Sequence, residues 1–519
     1  MERFIAKTGG MVHGVLNGFD RLWFRGSLRL LSYLSGMEYF MSRKHMLMKD
    51  FLPWAEGLTK QVAAESAARA ERCGRPLQYL ASSKIRKEEL ALQIAKRDQI
   101  EEGLICILSC VEPCVGYDVY RNRERKTLDL KIRQRKGLHH YHYLMHPQFG
   151  LCHVRVQTWV PFQVKVSLNG REWLARQMKA AGIGFVKREN CFTWVEDVPQ
   201  AQALLDEQLA QPWEHRLEGL LNDALPSRYQ WLDFPEARYY WSLDQSEWAS
   251  DFMFRSAQDL GRMYPPLIRH AMQALHCEDV LRFLGRVQPA IAFQPSANIQ
   301  VLSDLRRRPE GVRIRHAAGV NSVKMYDKQG SVLRLETTIN DIRDFREKRT
   351  ERKTGRVQWR RMRKGVVALR RRAEVSQAVN NRLADALAAA HTDTPVGELI
   401  AEVSQPVIFN GRRYRRLNPW AERDALLLKI IANGQWLTNG FRNRDLRQQL
   451  YSQDQLASPE QVHRASAAVS RTLALLKAHH LIRKVSGSHR YQLTPRGQQI
   501  AAAILNVHHL SLQQVLKAA

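Results

Sequence analysis

No apolar run in this 519-residue chain reaches the ~20 residues that a membrane-crossing helix needs. No Lys-rich amphipathic segment stands out to lie on a bilayer surface either, so a membrane is not an expected partner. The start, Met1-Glu2-Arg3-Phe4-Ile5-Ala6-Lys7, lacks a long apolar stretch, and a secretion signal is not expected. Cysteine is sparse: 7 residues, an odd number, scattered from Cys73 to Cys277. That usage fits a reducing compartment, and a cytoplasmic location is expected. Cys106, Cys110 and Cys114 fall four apart, a spacing that would align them on a helix. Pro113 interrupts the pattern and no Cys-x-x-Cys pair accompanies it, so buried thiols are expected rather than a zinc site. P-loop, dinucleotide-binding and protease-triad motifs are also missing, as is any internal repeat of fixed period. Acidic residues are the other shortage: 51 against 80 Lys and Arg, a formal charge of +29 and a pI near 10.1. Such a field attracts polyanions and gains from counterion release. An apolar fraction of 44% shows that the excess charge does not mean disorder. Nucleic acid, DNA before RNA, is the expected partner; nothing in the pattern specifies an oligomeric state.

Periodicity divides the chain into six segments of an α+β, multidomain protein. Residues 1–112 read as a helical region, with amphipathic patterns over Trp54–Arg72 and Lys84–Leu108. Residues 113–200 read as an α+β domain around an antiparallel sheet, because Thr127–Ile132, Cys152–Trp159 and Phe162–Leu168 alternate and Asn169-Gly170 marks a turn. Residues 201–295 return to helical spacing, with Asp244-Gln245-Ser246-Glu247 like a helix-starting capping box. Residues 296–391 combine a β-hairpin with an Arg-rich helical region; strands are expected at 311–316, 322–326 and 331–339, around a turn at Asp327-Lys328-Gln329-Gly330. Residues 392–420 read as a linker, with Thr392–Pro395 a break and Arg412–Arg416 strongly basic.

Residues 421–505 carry three helical patterns and then two short strands, Leu481–Val485 and Tyr491–Thr494, around a basic turn. In the helix from Ala465, the residues Val469, Leu473 and Leu476 fall at apolar spacing, leaving Arg464, Ser470, Arg471 and Lys477 to face outward. A helix with small and basic residues on its free side suits the major groove. With its closing Tyr491-Gln492-Leu493-Thr494-Pro495-Arg496-Gly497, the segment resembles MarR-type winged helix-turn-helix domains. That resemblance implies nucleic-acid contact through Arg464, Ser470, Arg471 and Arg490, although winged helices also dock proteins.

The sharpest chemical candidate is Lys324-Met325-Tyr326-Asp327-Lys328 followed by Leu333-Arg334-Leu335-Glu336. Tyr-Asp-Lys ending one strand, with Arg-x-Glu on the next, resembles the replication initiation factors of rolling-circle plasmids and conjugative elements. The resemblance implies that Tyr326 attacks a DNA phosphodiester to form a 5′-phosphotyrosine, while Glu336 serves as a metal or structural carboxylate. A phenol of pKa ~10 is a weak nucleophile that needs metal or cationic help, which Lys324, Lys328 and Arg334 could supply as phosphate partners. The same residues also fit a plain hairpin in which Arg334 pairs with a carboxylate, and register is not readable from sequence.

Two further clusters could hold a divalent metal. His140 and His142 in Leu138–His146 would share one strand face, as in relaxase-type nickases, though a His-aromatic cluster could equally stack bases. Asp244, Glu247 and Asp251 stand at helical spacing beside Tyr239-Tyr240, a pattern that also describes a capped, solvated helix. The Arg-rich stretch Arg343–Arg372 contains Arg346, Arg349, Arg352, Arg356, Arg360, Arg361, Arg363, Arg370, Arg371 and Arg372, interleaved with Phe345 and Trp359. Arg suits bidentate phosphate contact and stacking. The expectation is a DNA-binding protein of mobile-element replication-initiator or transposition type that nicks through a tyrosine with Mg²⁺ or Mn²⁺. The competing expectation is a non-catalytic winged-helix regulator or RNA-binding protein with no cofactor.

Overall fold

The computed structural model describes the chain apart from residues 235–237, 274, 276, 285–300, 309–310, 352–353, 389–395, 434–435, 437–439, 486–487 and 510–519. Arg352, the Thr392–Pro395 break and the Ser486-Gly487 part of the basic turn therefore lie outside the described residues.

The chain is a mixed α/β protein organised on one 11-stranded sheet. Its strands are β1 (Val12–Leu28), β2 (Leu77–Leu80), β3 (Gly103–Asn122), β4 (Thr127–His146), β5 (Gly150–Gln157), β6 (Val164–Asn169), β7 (Tyr239–Phe254), β8 (Val301–Arg308), β9 (Gly311–Ala318), β10 (Asn321–Lys328) and β11 (Val332–Ile339). Across the sheet they run β8-β9-β10-β11-β7-β1-β6-β5-β4-β3-β2. Neighbours are antiparallel except β2, which is parallel to β3, so the sheet is mixed rather than purely antiparallel.

This order contains a repeat of fold. From the central β1–β7 pair outward, one half reads β1-β6-β5-β4-β3 and the other β7-β11-β10-β9-β8. Each half is an opening strand followed by a four-strand meander whose last strand returns to pair with the opening strand. The antiparallel pairing of β1 with β7 relates the halves by an approximate two-fold normal to the sheet, through the pair Leu22–Ser246. Each opening strand carries a bulge two residues before that point. The register steps between Phe19 and Arg21 insert Asp20, and the step opposite Trp23 and Phe24 inserts Asp244. A bulge re-aims a side chain and sharpens local twist.

One face of the sheet is packed on apolar cores. Helix Phe51–Arg72 lies under the first half, with Val62 buried among Leu22, Val154 and Val166. Helix Leu369–Leu387 lies under the second, where Val379 and Leu383 meet Ile314, Met325 and Leu335. There Asn380 Nδ2 donates to the Leu335 carbonyl at 3.1 Å, and Asn380 Oδ1 accepts from Thr337 Oγ1 at 2.7 Å. On the other face, helix Gly170–Ala180 begins where Asn169 caps the Arg171 and Glu172 amides. Gly170 is required at that start, because a Cβ there would run into the Phe19 carbonyl oxygen at the bulge. A separate core formed by Leu427, Ile431, Phe441, Leu446, Val469, Leu473 and Ile500 organises the C-terminal segment. It contains helices Glu422–Ile431, Asn443–Leu450 and Pro459–Ala478, the antiparallel strands Ile482–Lys484 and Tyr491–Leu493, and helix Pro495–His509.

Several expected elements differ. The helical reading of 1–112 holds for Phe51–Arg72 and Lys87–Arg97, but β1 and the first half of β3 are strand in that region. The helical reading of 201–295 is interrupted by β7, and Asp244–Glu247, expected to start a helix, lies within it. Cys106, Cys110 and Cys114 sit buried on β3, not on a helix. The Arg-rich stretch forms the hairpin Arg346–Thr350/Val357–Arg361 before its helix. No helix among the described residues is long and apolar enough to cross a membrane.

Candidate active site

The open face of the second half concentrates charge in the fold's interior. In β11, Arg334 stands opposite Tyr326 of β10 on one side and Asp251 of β7 on the other; one step on, Glu336 stands opposite Lys324 and Ala249. Period-two alternation puts Tyr326, Lys324, Arg334, Glu336, Asp251 and Glu247 on the same face. The diagonal relation of Tyr326 to Glu336 brings the Tyr326 hydroxyl to donate to Glu336 Oε2 at 2.6 Å, while Lys324 Nζ donates to Oε1 at 2.5 Å. Asp20 comes from the β1 bulge. Asp20, Glu247 and Glu336 each offer a carboxylate oxygen within 4.8 Å of the others, the single group of this kind among the described residues.

Arg334 is fully buried and holds the site from beneath. Its Nε and Nη2 donate to Asp251 Oδ1 and Oδ2 at 2.5 and 2.8 Å, its Nη1 to Asp20 Oδ1 at 2.7 Å, and its Nη2 also to the Asn190 carbonyl at 2.8 Å. Arg171 adds a 2.9 Å ion pair to Asp251. Asn190, in the turn of the hairpin Phe185–Arg188/Cys191–Val195, donates from Nδ2 to Asp20 Oδ1 at 2.8 Å. Arg334, expected to meet a phosphate, is thus a buried positioning residue. Its guanidinium is fully buried and bonded to Asp251, Asp20 and the Asn190 carbonyl.

Burial and the Glu336 charge push the Glu247 carboxyl up to about 7. Burial also opposes ionisation of Glu336, but Lys324, Arg334 and two hydrogen bonds outweigh it and hold that carboxyl below its ordinary value. Burial and the adjacent Glu336 drive the Tyr326 phenol well above its ordinary range. A proton on Glu247 is therefore bound more tightly in the folded chain than in the unfolded one. The cost of its ionisation is absent below the ordinary value of 4.5 and complete above about 7. In chelator-treated protein, Glu247→Gln is expected to melt with wild type at pH 4 and above it at pH 8. Thermal unfolding at both pH values checks this, and coincident melting at pH 8 would remove the repulsion.

The two-fold shows why only one half holds this chemistry. Following the same steps from Leu22 instead of Ser246, Lys165 of β6 takes the place of Glu336 and Arg155 of β5 the place of Lys324. Trp23 takes the place of Glu247, and Gln157, whose amide meets the Gln163 carbonyl at 2.9 Å, that of Tyr326. Asp244 matches Asp20, but it pairs with Arg25 at 2.6 Å and Lys165 at 3.0 Å. The site keeps three carboxylates and a tyrosine; at the matching place Asp244 remains a carboxylate, while Lys165, Trp23 and Gln157 stand for Glu336, Glu247 and Tyr326.

Lys328 shares the face of Tyr326 and its charge acts on Asp251, whereas the other expected residues are dispersed. Lys328 lies two residues beyond Tyr326, opposite Val332. His140 and His142 do share a strand face, but it is the packed face, opposite the carboxylates. His142 Nδ1 and Nε2 meet Arg69 Nη1 at 3.1 Å and Ser66 Oγ at 3.4 Å, and burial lowers both imidazoles, His140 to about 4. The three carboxylates expected on one helix face divide: Asp251 goes to Arg334, Asp244 to Arg25 and Lys165, and only Glu247 joins the cluster. Arg360, Arg361 and Arg363 are exposed around Trp359 on the hairpin, with Arg360 and Arg363 bonded to Glu351 and Glu347. Arg371 lies over the Trp359 ring. Arg372 is buried and donates to the Leu243 carbonyl at 2.9 Å, so it is not a surface contact. Arg464, Ser470 and Arg471 are exposed on helix Pro459–Ala478, and Arg490 is half-buried. Asp20 was not expected from the sequence. Nor was the ribbon of β3 and β4, whose outer end exposes Arg121, Arg123, Arg125, Lys126, Lys131 and Arg133.

Neither a scan against protein-family models nor searches of curated proteins and solved structures finds a match to this chain.

Proposed function

We propose that this chain nicks DNA through Tyr326, with Asp20, Glu247 and Glu336 as the carboxylates of the reaction centre. One observation carries the reading: the Tyr326 hydroxyl is already donated to Glu336 at 2.6 Å, within a cluster of three carboxylates in a strongly basic protein. Three oxygen donors from carboxylates suit Mg²⁺ or Mn²⁺, which would neutralise charge on the scissile phosphate. Tyr326 Oη attacks phosphorus as its proton leaves through Glu336, which hands it on to solvent because Lys324 keeps that carboxyl ionised. The bond from phosphorus to the 3′ oxygen breaks, and that oxygen takes a proton from water, leaving a 3′-hydroxyl and a 5′-phosphotyrosine. Lys324 holds Glu336 in place and adds positive charge beside the phosphate. Incubation with single-stranded and supercoiled DNA plus Mg²⁺ or Mn²⁺ should give a covalent adduct that peptide mass spectrometry places on Tyr326. Absence of any adduct across a broad DNA library ends the reading.

Two further features support DNA as substrate. The β3–β4 ribbon and the Arg346–Arg361 hairpin both present exposed cations on a two-stranded scaffold narrow enough for a groove. The C-terminal order of three helices, two strands and a closing helix supports the winged-helix reading, with helix Pro459–Ala478 as the reading helix. Arg471→Ala and Arg490→Ala are each expected to weaken duplex binding and to reduce the slope of log K against log salt by about one. Fluorescence anisotropy over a salt series checks this; unchanged affinity in both variants would take this segment out of the interface.

A further inference from the structure

Beside the carboxylate cluster, on the same face, a cleft of about 400 Å³ opens over β1, β6, β5 and β4. It shares two residues with the reaction centre. Arg21 stands opposite Glu247 across the central strand pair, and Asn190 is bonded to Asp20. Its floor is aromatic and apolar, with Tyr143, Met145, Leu151 and His153 among its lining. The His153 and Tyr143 rings lie 4.9 Å apart. Burial and then Arg155 lower the His153 imidazole to about 4, so the floor is uncharged at neutral pH. Asn190 leaves its Oδ1 buried with no hydrogen-bond partner among the described residues.

We propose that this cleft receives one unstacked nucleobase of single-stranded DNA, from the nucleotide next to the scissile phosphate. The proposal rests on the nicking reading above and names what that site grips besides the phosphate. The volume lies at the small end of ligand sites and accommodates one base with its sugar. Rings and aliphatic side chains below, with amide groups at the edge, are what a splayed base needs: a surface for its π-face and partners for its polar edge. The orphan Asn190 oxygen is an acceptor suited to an amino or imino hydrogen of a base. Arg21, between cleft and carboxylates, is placed to meet the phosphate joining the gripped nucleotide to the reaction centre. The acidic residues Glu88, Glu172 and Glu189 at the margin disfavour a bare anion as the occupant.

The test uses the full-length protein and single-stranded oligonucleotides spanning the nick, with one abasic site moved through each position. Wild type should lose about tenfold in nicking at one position adjacent to the nick and little elsewhere. Leu151→Trp, which fills the cleft, should nick intact DNA as poorly as wild type nicks that abasic substrate and show no further loss on it. The scan is repeated as binding to Tyr326→Phe, whose readout needs no chemistry. In parallel, 4-thiothymidine at the sensitive position should photocross-link unmodified protein within 143–153. A position-independent abasic effect, or cross-links confined to other segments, overturns the cleft while nicking stands. A single sensitive position in binding, with no nicking by wild type, keeps the cleft and removes Tyr326 as nucleophile.

Discussion

Tyr326→Phe is expected to abolish the covalent protein–DNA adduct, lowering nicking by at least about a thousandfold, as loss of a nucleophile does elsewhere, while DNA affinity stays within about threefold. The substitution removes one oxygen and keeps the ring. Glu336 loses its 2.6 Å donor but retains Lys324 at 2.5 Å, so no bare carboxylate is left in the interior. The structural cost should be about 1.5–3 kcal/mol, the range for a hydrogen bond to a charged group. The chemical cost is complete, because among the described residues no other tyrosine is bonded to this cluster. Tyr141 makes a similar 2.6 Å bond to Glu112, but Lys87 and Arg155 pair with that carboxylate, and among the described residues it belongs to no group of three metal-binding side chains. Adduct formation is read on denaturing gels and affinity by anisotropy. An adduct that survives in the Phe variant would move the nucleophile elsewhere.

The parts of this site differed in how far the sequence disclosed them. The strands bearing Tyr326 and Glu336 are short, alternate cleanly and are joined by Gln329-Gly330 with both residues at positive φ, so period and turn chemistry agreed. β1 and β7 defeated the same reasoning because bulges at Asp20 and Asp244 shift the period in mid-strand. The end of β7, from Ala249 to Phe254, is buried on both faces and so does not alternate at all. Asp244, Glu247 and Asp251 are spaced as on a helix, and that spacing is an accident of the bulge. Asp20 meets Glu247 through a strand pairing that spans most of the first half, a relation no local pattern encodes. The one available signal was an acidic residue inside an apolar run, Phe19-Asp20-Arg21-Leu22-Trp23. The repeat of fold was hidden as well. The segments inserted after the two opening strands differ, and the equivalent positions have exchanged chemistry, Lys165 for Glu336 and Gln157 for Tyr326.

The second large effect is structural: Arg334→Leu should destabilise the sheet by about 3–5 kcal/mol, the cost of breaking a buried ion pair by removing one partner. Leucine fills much of the volume but leaves Asp20 and Asp251 facing one another without the guanidinium that bridges them. Arg171 still reaches Asp251 at 2.9 Å but stands 4.0 Å from Asp20, so it compensates one carboxylate better than the other. Arg334→Lys should recover only part of the loss, since a single ammonium cannot meet both Asp251 oxygens, Asp20 and the Asn190 carbonyl together. The pH dependence separates this account from a simple packing defect. In wild type, Asp251 is held below its ordinary value: burial opposes ionisation but Arg171 and Arg334 outweigh it. Its contribution is present above the unfolded-state pKa and is lost as pH falls through the folded one. Once Arg334 is gone, unpaired carboxylates prefer their protons, so the variant should gain stability relative to wild type as pH falls from 7 to 5. Adding Asp20→Asn to Arg334→Leu should remove part of the penalty at pH 7 and flatten that slope. Urea unfolding at the two pH values, followed by tryptophan fluorescence, reads all three variants. A penalty independent of pH would mean that Arg334 acts through its volume rather than its charge, and Asp20 would then need another source for its placement beside Glu336.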